Sequence, residues 1–362
     1  MLFPSVKSSI ENLKSYKPNF GKVKNIKVIR LSANEGALGT SAKAIKAINS
    51  FSTDLHRYPP QVSEDLVNAI AKRYSLDREK IILGNGSDEL IAIIAQAYLS
   101  SEDEAIYTEY GFLQFPQQIS IVGAKGVIAK DNKLTVSVDN ILSKINKKTK
   151  LVFLANANNP TGTFISKDDI IRLHQGMPSN VLLVYDAAYS EFIIDPDYID
   201  GSYLVNQYDN VIMLRTFSKM HGLASLRLGW GYCSNYILNN LMKVRGPFSV
   251  NVAAMIAGKA AIEDIDFQKK SVEHNIKWMA WIKKELKKIG LTYQSSVTNF
   301  LLIKFPCEKQ KTAENAEIFL AKRGILVRNM SGYNLPSYLR VSLGTEEENM
   351  IFIKELKSFI DN

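Results

Sequence analysis

Leu214-Arg-Thr-Phe-Ser-Lys-Met-His-Gly-Leu-Ala-Ser-Leu-Arg227 is the stretch on which the reading of this chain turns. Its first residue closes Val211-Ile-Met-Leu214, a short apolar run of the kind that forms a buried strand. Lys219 therefore follows a strand end, with the hydroxyls of Thr216 and Ser218 beside it and Arg227 eight residues on. An amine, two hydroxyls and a guanidinium in that setting suit a carbonyl compound that carries a phosphate. The amine can form a Schiff base while the other groups hold the phosphate.

Working outward, residues 64–233 alternate apolar strand patterns with amphipathic helical ones. Strands are expected at 80–83, 104–107, 150–154, 181–185, 210–214 and 229–233. Several are near-continuous apolar runs, as strands covered by helices on both faces must be. The alternation predicts an α/β fold with a mainly parallel sheet. Beyond Pro247 the pattern changes to one long helix at 250–289, strands at 300–304, 325–328 and 338–342, and a last helix at 346–359. This reads as a smaller α+β domain. The expected division is residues 1–42 as an N-terminal arm or part of the small domain, 43–245 as the large domain and 246–362 as the small one.

In open α/β sheets ligands bind beyond the carboxyl ends of the strands, and chemistry-bearing residues recur there. Gly84-Asn-Gly-Ser-Asp-Glu-Leu90 can present backbone N–H groups, with Ser87 and Asp88, to an anion, although a plain strand-to-helix turn reads the same way. Tyr110 could stack on a flat ring or be an ordinary loop aromatic in the core. Asn159, held before Pro160, could donate to a phenolate oxygen within what is in any case a turn. Asp186, at the end of an apolar strand, needs a cationic or donor partner; a protonated pyridine nitrogen and a helix N-cap both answer. Tyr189 could bond the ring oxygen. Arg328 and Arg340 sit in apolar strand-like segments and need anions, whether substrate groups or structural salt-bridge partners. Together these residues point to pyridoxal 5'-phosphate (PLP).

The composition excludes other classes. Of the 362 residues, 46% are hydrophobic and 22% charged, with no run of about 18 apolar residues that would span a bilayer. No secretion signal is read at the start, and Cys233 and Cys307 suggest neither a disulfide framework nor a metal site, so a cytoplasmic protein is expected. Four scattered histidines without a cluster give no metal centre. The net charge of +9 is spread over lysines such as Lys144, Lys147, Lys148 and Lys150 without interleaved aromatics, which reads as a solvated surface rather than a nucleic-acid interface.

The order of these motifs resembles the fold-type-I PLP-dependent aminotransferases, most closely their histidinol-phosphate branch. The matching segments also include Leu31-Ser-Ala-Asn-Glu35, Arg57-Tyr-Pro59, Pro247-Phe248 and Asn299-Phe-Leu301. The resemblance implies that Lys219 is the Schiff-base lysine and proton shuttle. Asp186 would face the pyridine nitrogen, Tyr189 and Asn159 the ring hydroxyl, and Tyr110 the ring face. Ser87, Thr216, Ser218 and Arg227 would hold the cofactor phosphate with Asp88 beside them. Arg340 would grip a substrate carboxylate, and Arg328, Tyr16 and Tyr58 would lie near a substrate phosphate. Tyr58 would reach into the neighbouring site of a homodimer. The implied activity is transamination between L-histidinol phosphate and 2-oxoglutarate, with another amino-acid aminotransferase or a phospho-amino-acid decarboxylase of the same fold as the alternative. The chain departs from the family at Asp186-Ala-Ala-Tyr189, where Asp-Glu-Ala-Tyr is usual, and at Asn34-Glu-Gly-Ala-Leu-Gly39, where Asn-Glu-Asn-Pro-Leu-Gly is usual.

Overall fold

The structure, a computed structural model, describes residues 4–11, 13, 15, 28–51, 56–307 and 310–361. Strand β1 is the short Ile29–Arg30. Among the described residues, seven further strands form one sheet: β2 (Ile81–Gly84), β3 (Glu104–Thr108), β4 (Lys125–Ala129), β5 (Thr149–Ala155), β6 (Leu182–Asp186), β7 (Val211–Thr216) and β8 (Gly229–Cys233). Their order is β2-β8-β7-β6-β5-β3-β4. Only β8 runs against its neighbours, so the sheet is mainly parallel, as expected. The edge strand β4 is largely exposed, and was not anticipated.

The central strands show why apolar runs were legible. On β5, β6 and β7, Val152, Leu154, Leu183, Tyr185, Val211 and Met213 enter the core on one face. Leu151, Phe153, Leu182, Val184, Ile212 and Leu214 enter the core on the other. The two-residue period therefore continues through the strand ends: Ala155 and Asp186 lie side by side on the second face, and Thr216 shares it two residues beyond Leu214, the neighbour of Asp186 on β7. Helix α1 (Glu64–Tyr74) covers the first face, and α2 (Ser87–Tyr98) the second.

The predicted long helix is two helices, α3 (Val252–Glu263) and α4 (Ile265–Lys288). Asp264 interrupts them and pairs with Lys43 at 3.0 Å. The buried Gln268 donates from Nε2 to the carbonyls of Ala261 and Ile262, both at 2.9 Å, which satisfies acceptors that the break leaves open. Strands β9 (Thr292–Gln294), β10 (Phe300–Lys304), β11 (Ile325–Leu326), β12 (Arg328–Asn329) and β13 (Tyr338–Ser342) follow, then helix α5 (Glu346–Asp361). The expected strand 325–328 is thus divided. Its first half pairs in parallel with β1, and its second joins the sheet β12-β13-β10-β9. One face of that sheet, with Leu301, Ile303, Leu339 and Val341, packs with Ile29, Leu31 and α4 into a separate core. Ile29 and Leu31 of the N-terminal segment accordingly pack on the smaller sheet, whereas the helical turn Ser8–Glu11 lies against the helix Gln114–Val122 of the larger layer. Arg340 and Ser342 alternate with Leu339 and Val341 and so face the other way, toward the large sheet.

Replacing Gln268 with Ala should lower stability by about 1–3 kcal/mol, the cost of leaving buried acceptors unpaired. Calorimetric unfolding reads this; an unchanged midpoint would mean that the helix break does not depend on this side chain.

Candidate active site

A cavity of about 390 Å³ opens where the C-terminal ends of β5, β6 and β7 meet the smaller sheet. Ala155, Asp186 and Thr216 line it because they are the last residues of three neighbouring strands on one face. Ser87, Asp88, Asn159, Tyr189, Ser218, Lys219, Arg227, Arg328 and Arg340 line it as well. Eleven of the fourteen residues picked out by sequence thus converge here.

Asp186 is buried, and its Oδ1 accepts the Ala188 N–H at 3.0 Å. Among the described residues no cation forms an ion pair with it. Burial pushes its carboxyl up to about 7; the Ala188 N–H and the more distant Lys219 work against this, and Asp88 works with it. The Lys219 amine donates to the Ala33 carbonyl at 3.1 Å. Burial, with the Arg340 guanidinium adding to it, pushes that amine down to about 8.

At one end of the cavity the chain makes a polar cradle. Thr216 Oγ1 accepts the Ser218 N–H at 3.1 Å and donates to Ser218 Oγ at 3.0 Å. Arg227 Nη2 binds Asp88 at 3.0 Å, and Nη1 binds the Ala224 carbonyl at 2.9 Å. Two glycines make room for this. A Cβ on Gly86, at φ 78°, would lie 2.7 Å from Arg227 Nη2. A Cβ on Gly229, at the start of β8, would lie 2.3 Å from the Ser87 backbone nitrogen. The cradle therefore brings the first turn of α2 and the Arg227 side chain together, a setting that favours an anion.

The smaller sheet contributes two arginines. Arg328 on β12 and Arg340 on β13 are directly opposite one another in an antiparallel pair, where like charges repel unless anions lie between or beside them. Arg340 Nη2 donates to the Ser32 carbonyl at 2.6 Å, and Nη1 donates to Asn159 Oδ1. That bond turns the Asn159 amide NH₂ away from Arg340. Tyr189 packs edge-on against Phe300, with ring centroids 5.3 Å apart, and its hydroxyl accepts from Asn34 Nδ2 at 2.9 Å.

Among the described residues, two expected ones, Tyr110 and Tyr58, do not line this cavity. The Tyr110 ring packs against the cluster of Leu302, Met330, Tyr333 and Leu335; Phe112 and Leu113, just after it, are the cavity-lining apolar residues of that turn. Tyr58 is 83% exposed and stacks on Phe248 at 4.8 Å. Tyr16 lies outside the described residues. Sequence reading assigned no role to Asn34, Phe112, Leu113 or Tyr333. Only Asn34 carried a signal, since it stands in a matching segment. The departure at Gly36 has a local cause, because a Cβ there would lie 2.7 Å from the Lys219 carbonyl oxygen.

A larger groove of about 720 Å³ runs between α4 and the loop after β6, lined by Arg215, Glu191 and Asp200 among others. Arg215 is paired there with Glu191 at 3.1 Å and Asp200 at 3.2 Å. Its lysine, Lys269, lies on α4 and not in the turn after a strand of the large sheet.

Comparison with known proteins bears on what such a cavity does. Histidinol-phosphate aminotransferase from Paramagnetospirillum magneticum is 42% identical over 361 residues, covering 99% of each chain. The enzyme of that name from Rhodopseudomonas palustris is 46% identical over 334 residues, 92% of each. The solved structure of histidinol-phosphate aminotransferase from Sinorhizobium meliloti in complex with pyridoxal-5'-phosphate has the same fold, with a TM-score of 0.90 at 24% identity over 99% of this chain and 98% of that one. The family model for aminotransferase class I and II matches residues 26–356, and the chain belongs to that family.

Proposed function

We propose that this chain transfers the amino group of L-histidinol phosphate to 2-oxoglutarate, giving imidazole-acetol phosphate and L-glutamate, with PLP as cofactor. The observation that carries the reading is one cavity holding a lysine amine, a buried carboxylate with no ion-pair partner among the described residues, a polar cradle and two opposed arginines. The name shared by relatives at 42% and 46% identity supports the choice of substrate.

The residues fit PLP on three counts. Among the described residues Asp186 is buried without a cationic ion-pair partner, which a protonated ring nitrogen would supply. The glycine-lined cradle of Ser87, Thr216, Ser218 and Arg227 suits a phosphate. Asn159 and Tyr189 each retain a donor, since their other polar contacts use their oxygens as acceptors, and a phenolic ring oxygen would take both. When bound, PLP supplies an aldehyde carbon that takes up and releases amino groups, and a ring that draws off the electron pair left when a substrate carbon loses its proton.

We assign Lys219 Nζ as the group that would hold the cofactor covalently and, when free, would carry a proton to and from the substrate carbon. The depressed basicity of its amine favours the neutral, nucleophilic form. Asp186 would stay ionised against the ring nitrogen and keep that nitrogen protonated. The stacking role of Tyr110 requires its ring to turn from the small-sheet cluster toward the cavity. Arg340 would bind the carboxylate of glutamate or 2-oxoglutarate, and Arg328 the substrate phosphate, with Tyr16 and with Tyr58 of a second copy of the chain. The exposure of Tyr58 and Phe248 supports such a homodimer. No described helix is long and apolar enough to cross a membrane, and both cysteines are free; we place the reaction in the cytoplasm. Residues 43–245 and 246–362 are the proposed large and small domains, with 1–42 joined to the latter.

The substrate is tested by mixing the PLP-loaded protein with single amino donors, without keto acid, and following its visible band in a stopped-flow instrument. Histidinol phosphate should bleach the band rapidly and phenylalanine or tyrosine much more slowly; the reverse order would overturn the substrate. Lys219→Ala should cost at least about 10²–10⁴-fold in turnover, the range for proton transfer alone. It should also abolish borohydride fixation of the cofactor to the chain, and fixation that survives the substitution would remove Lys219 from the mechanism. Because only the neutral amine attacks, the rate at which apoprotein captures PLP should rise as pH increases through about 8. A rate independent of pH across that region would refute the assignment. Arg328→Ala should weaken histidinol phosphate roughly 10- to 150-fold, as expected for loss of a charged hydrogen bond. Equal weakening of a donor without phosphate would mean that Arg328 reads something else.

A further inference from the structure

Asn34 contributes no group to the chemistry just assigned, yet it is among the most deeply buried polar residues in the chain, 1% exposed. We infer that Asn34 is a positioning residue: it sets the direction of the Tyr189 hydroxyl so that the phenolic proton is left to donate into the cavity, and it ties that donor to the strand carrying Arg340. The inference rests on the PLP reading above.

Counting donors and acceptors leads to this result. Ser342 Oγ accepts the Asn34 backbone N–H at 2.8 Å and gives its own proton to Asn34 Oδ1 at 3.1 Å. The carboxamide is thereby oriented, with its oxygen toward Ser342 and its nitrogen toward Tyr189. An amide NH₂ can only donate, so at 2.9 Å the Tyr189 oxygen must be the acceptor. Its own proton remains, and among the described residues nothing accepts it. Asn299 Nδ2 meanwhile donates to the Asn34 and Glu35 carbonyls, both at 3.1 Å, and holds their backbone. Asn34 has φ 55°, a left-handed conformation that asparagine adopts more readily than most residues. Asn34, Tyr189, Ser342 and Asn299 are all buried, and hydrogen bonds between buried groups hold their direction.

The network also joins the two sheets. Ser342 is two residues beyond Arg340 on the same face of β13, while Tyr189 lies just after β6. The charged and titratable groups around Tyr189 are Arg340 and Tyr333 from the smaller layer, and Asp186 and Lys219 from the larger.

The test uses the PLP-loaded protein and the pH midpoint of its visible band. A donor aimed at the ring oxygen favours the ionised form, so losing it raises the midpoint. Tyr189→Phe removes the donor. Asn34→Asp replaces the amide nitrogen with an acceptor, which turns the Tyr189 proton away from the cavity. Each should raise the midpoint by about one to two pH units, the size expected for a hydrogen bond to a charged oxygen. The double substitution should shift it no further than Tyr189→Phe alone. An unchanged midpoint in Asn34→Asp, beside a shifted one in Tyr189→Phe, overturns the inference. So does an Asn34→Asp shift that persists at full size in the Tyr189→Phe background, because the new charge would then act directly. Both results leave the PLP reading standing, whereas a wild-type protein with no such band removes that reading and this inference together. Should Asn34→Asp not accumulate as folded protein, Ser342→Ala frees the carboxamide to turn over. It must then raise the midpoint when Tyr189 is present and not when it is absent; no shift overturns the inference.

Discussion

Burial of the Asp186 carboxylate at the end of β6, with no cation in ion-pair reach among the described residues, is the constraint around which the rest of the site is arranged. A charge in that position is costly unless something cationic joins it. The strand period makes it unavoidable: residues 182, 184 and 186 share a face, so the continuation of an apolar row turns a carboxylate toward the same side as Ala155 and Thr216. Lys219 follows β7 by three residues and brings an amine into the same cavity, where Arg340 and burial hold its basicity down. Carboxylate and amine perturb one another less than their burial perturbs each. The cavity therefore has room in its electrostatics for a cationic ring beside the one and a carbonyl beside the other.

A second balance operates across the two sheets. Arg328 and Arg340 face each other on β12 and β13, and the cradle around Arg227 lines the same cavity. Two cationic sets in one cavity suit molecules with more than one anionic group. Residues 32–40 reach both layers. They supply carbonyls to Arg340 and Lys219, and Thr40 donates to the Gly222 carbonyl at 2.7 Å. The segment passes close enough over the Lys219 loop that Gly36 has no space for a side chain. Its two ends serve different layers: Ile29 and Leu31 enter the smaller core, and Asn34 reaches the Tyr189 hydroxyl.

Where sequence reading and structure part, the causes are local. The helix expected at 250–289 keeps its apolar pattern throughout, but Asp264 and Gln268 break and cap it by side-chain bonds that periodicity does not register. The strand expected at 325–328 is one apolar run shared by two different partners, β1 and β13. Tyr110 reads as a ring-stacking aromatic by its place after a strand, yet it finds a closer apolar surface in the smaller layer. Tyr333 sits in an irregular turn with no periodic signal, and its place at the cavity depends on how the two layers meet.

By itself, the sequence determined the parallel sheet, the strand ends and the residues that stand there. Those follow from two-residue periodicity and from the few residue types able to bind an anion or to act as an amine nucleophile, all properties local to a strand and its following turn. Only the tertiary structure decided which of those residues share one cavity. It opposed Arg328 to Arg340, buried Asp186 with no ion-pair partner among the described residues, and turned the Asn34 amide so that Tyr189 keeps its proton. These depend on contacts between segments as far apart as residues 34 and 342, and no local pattern encodes the direction of a hydrogen bond between them.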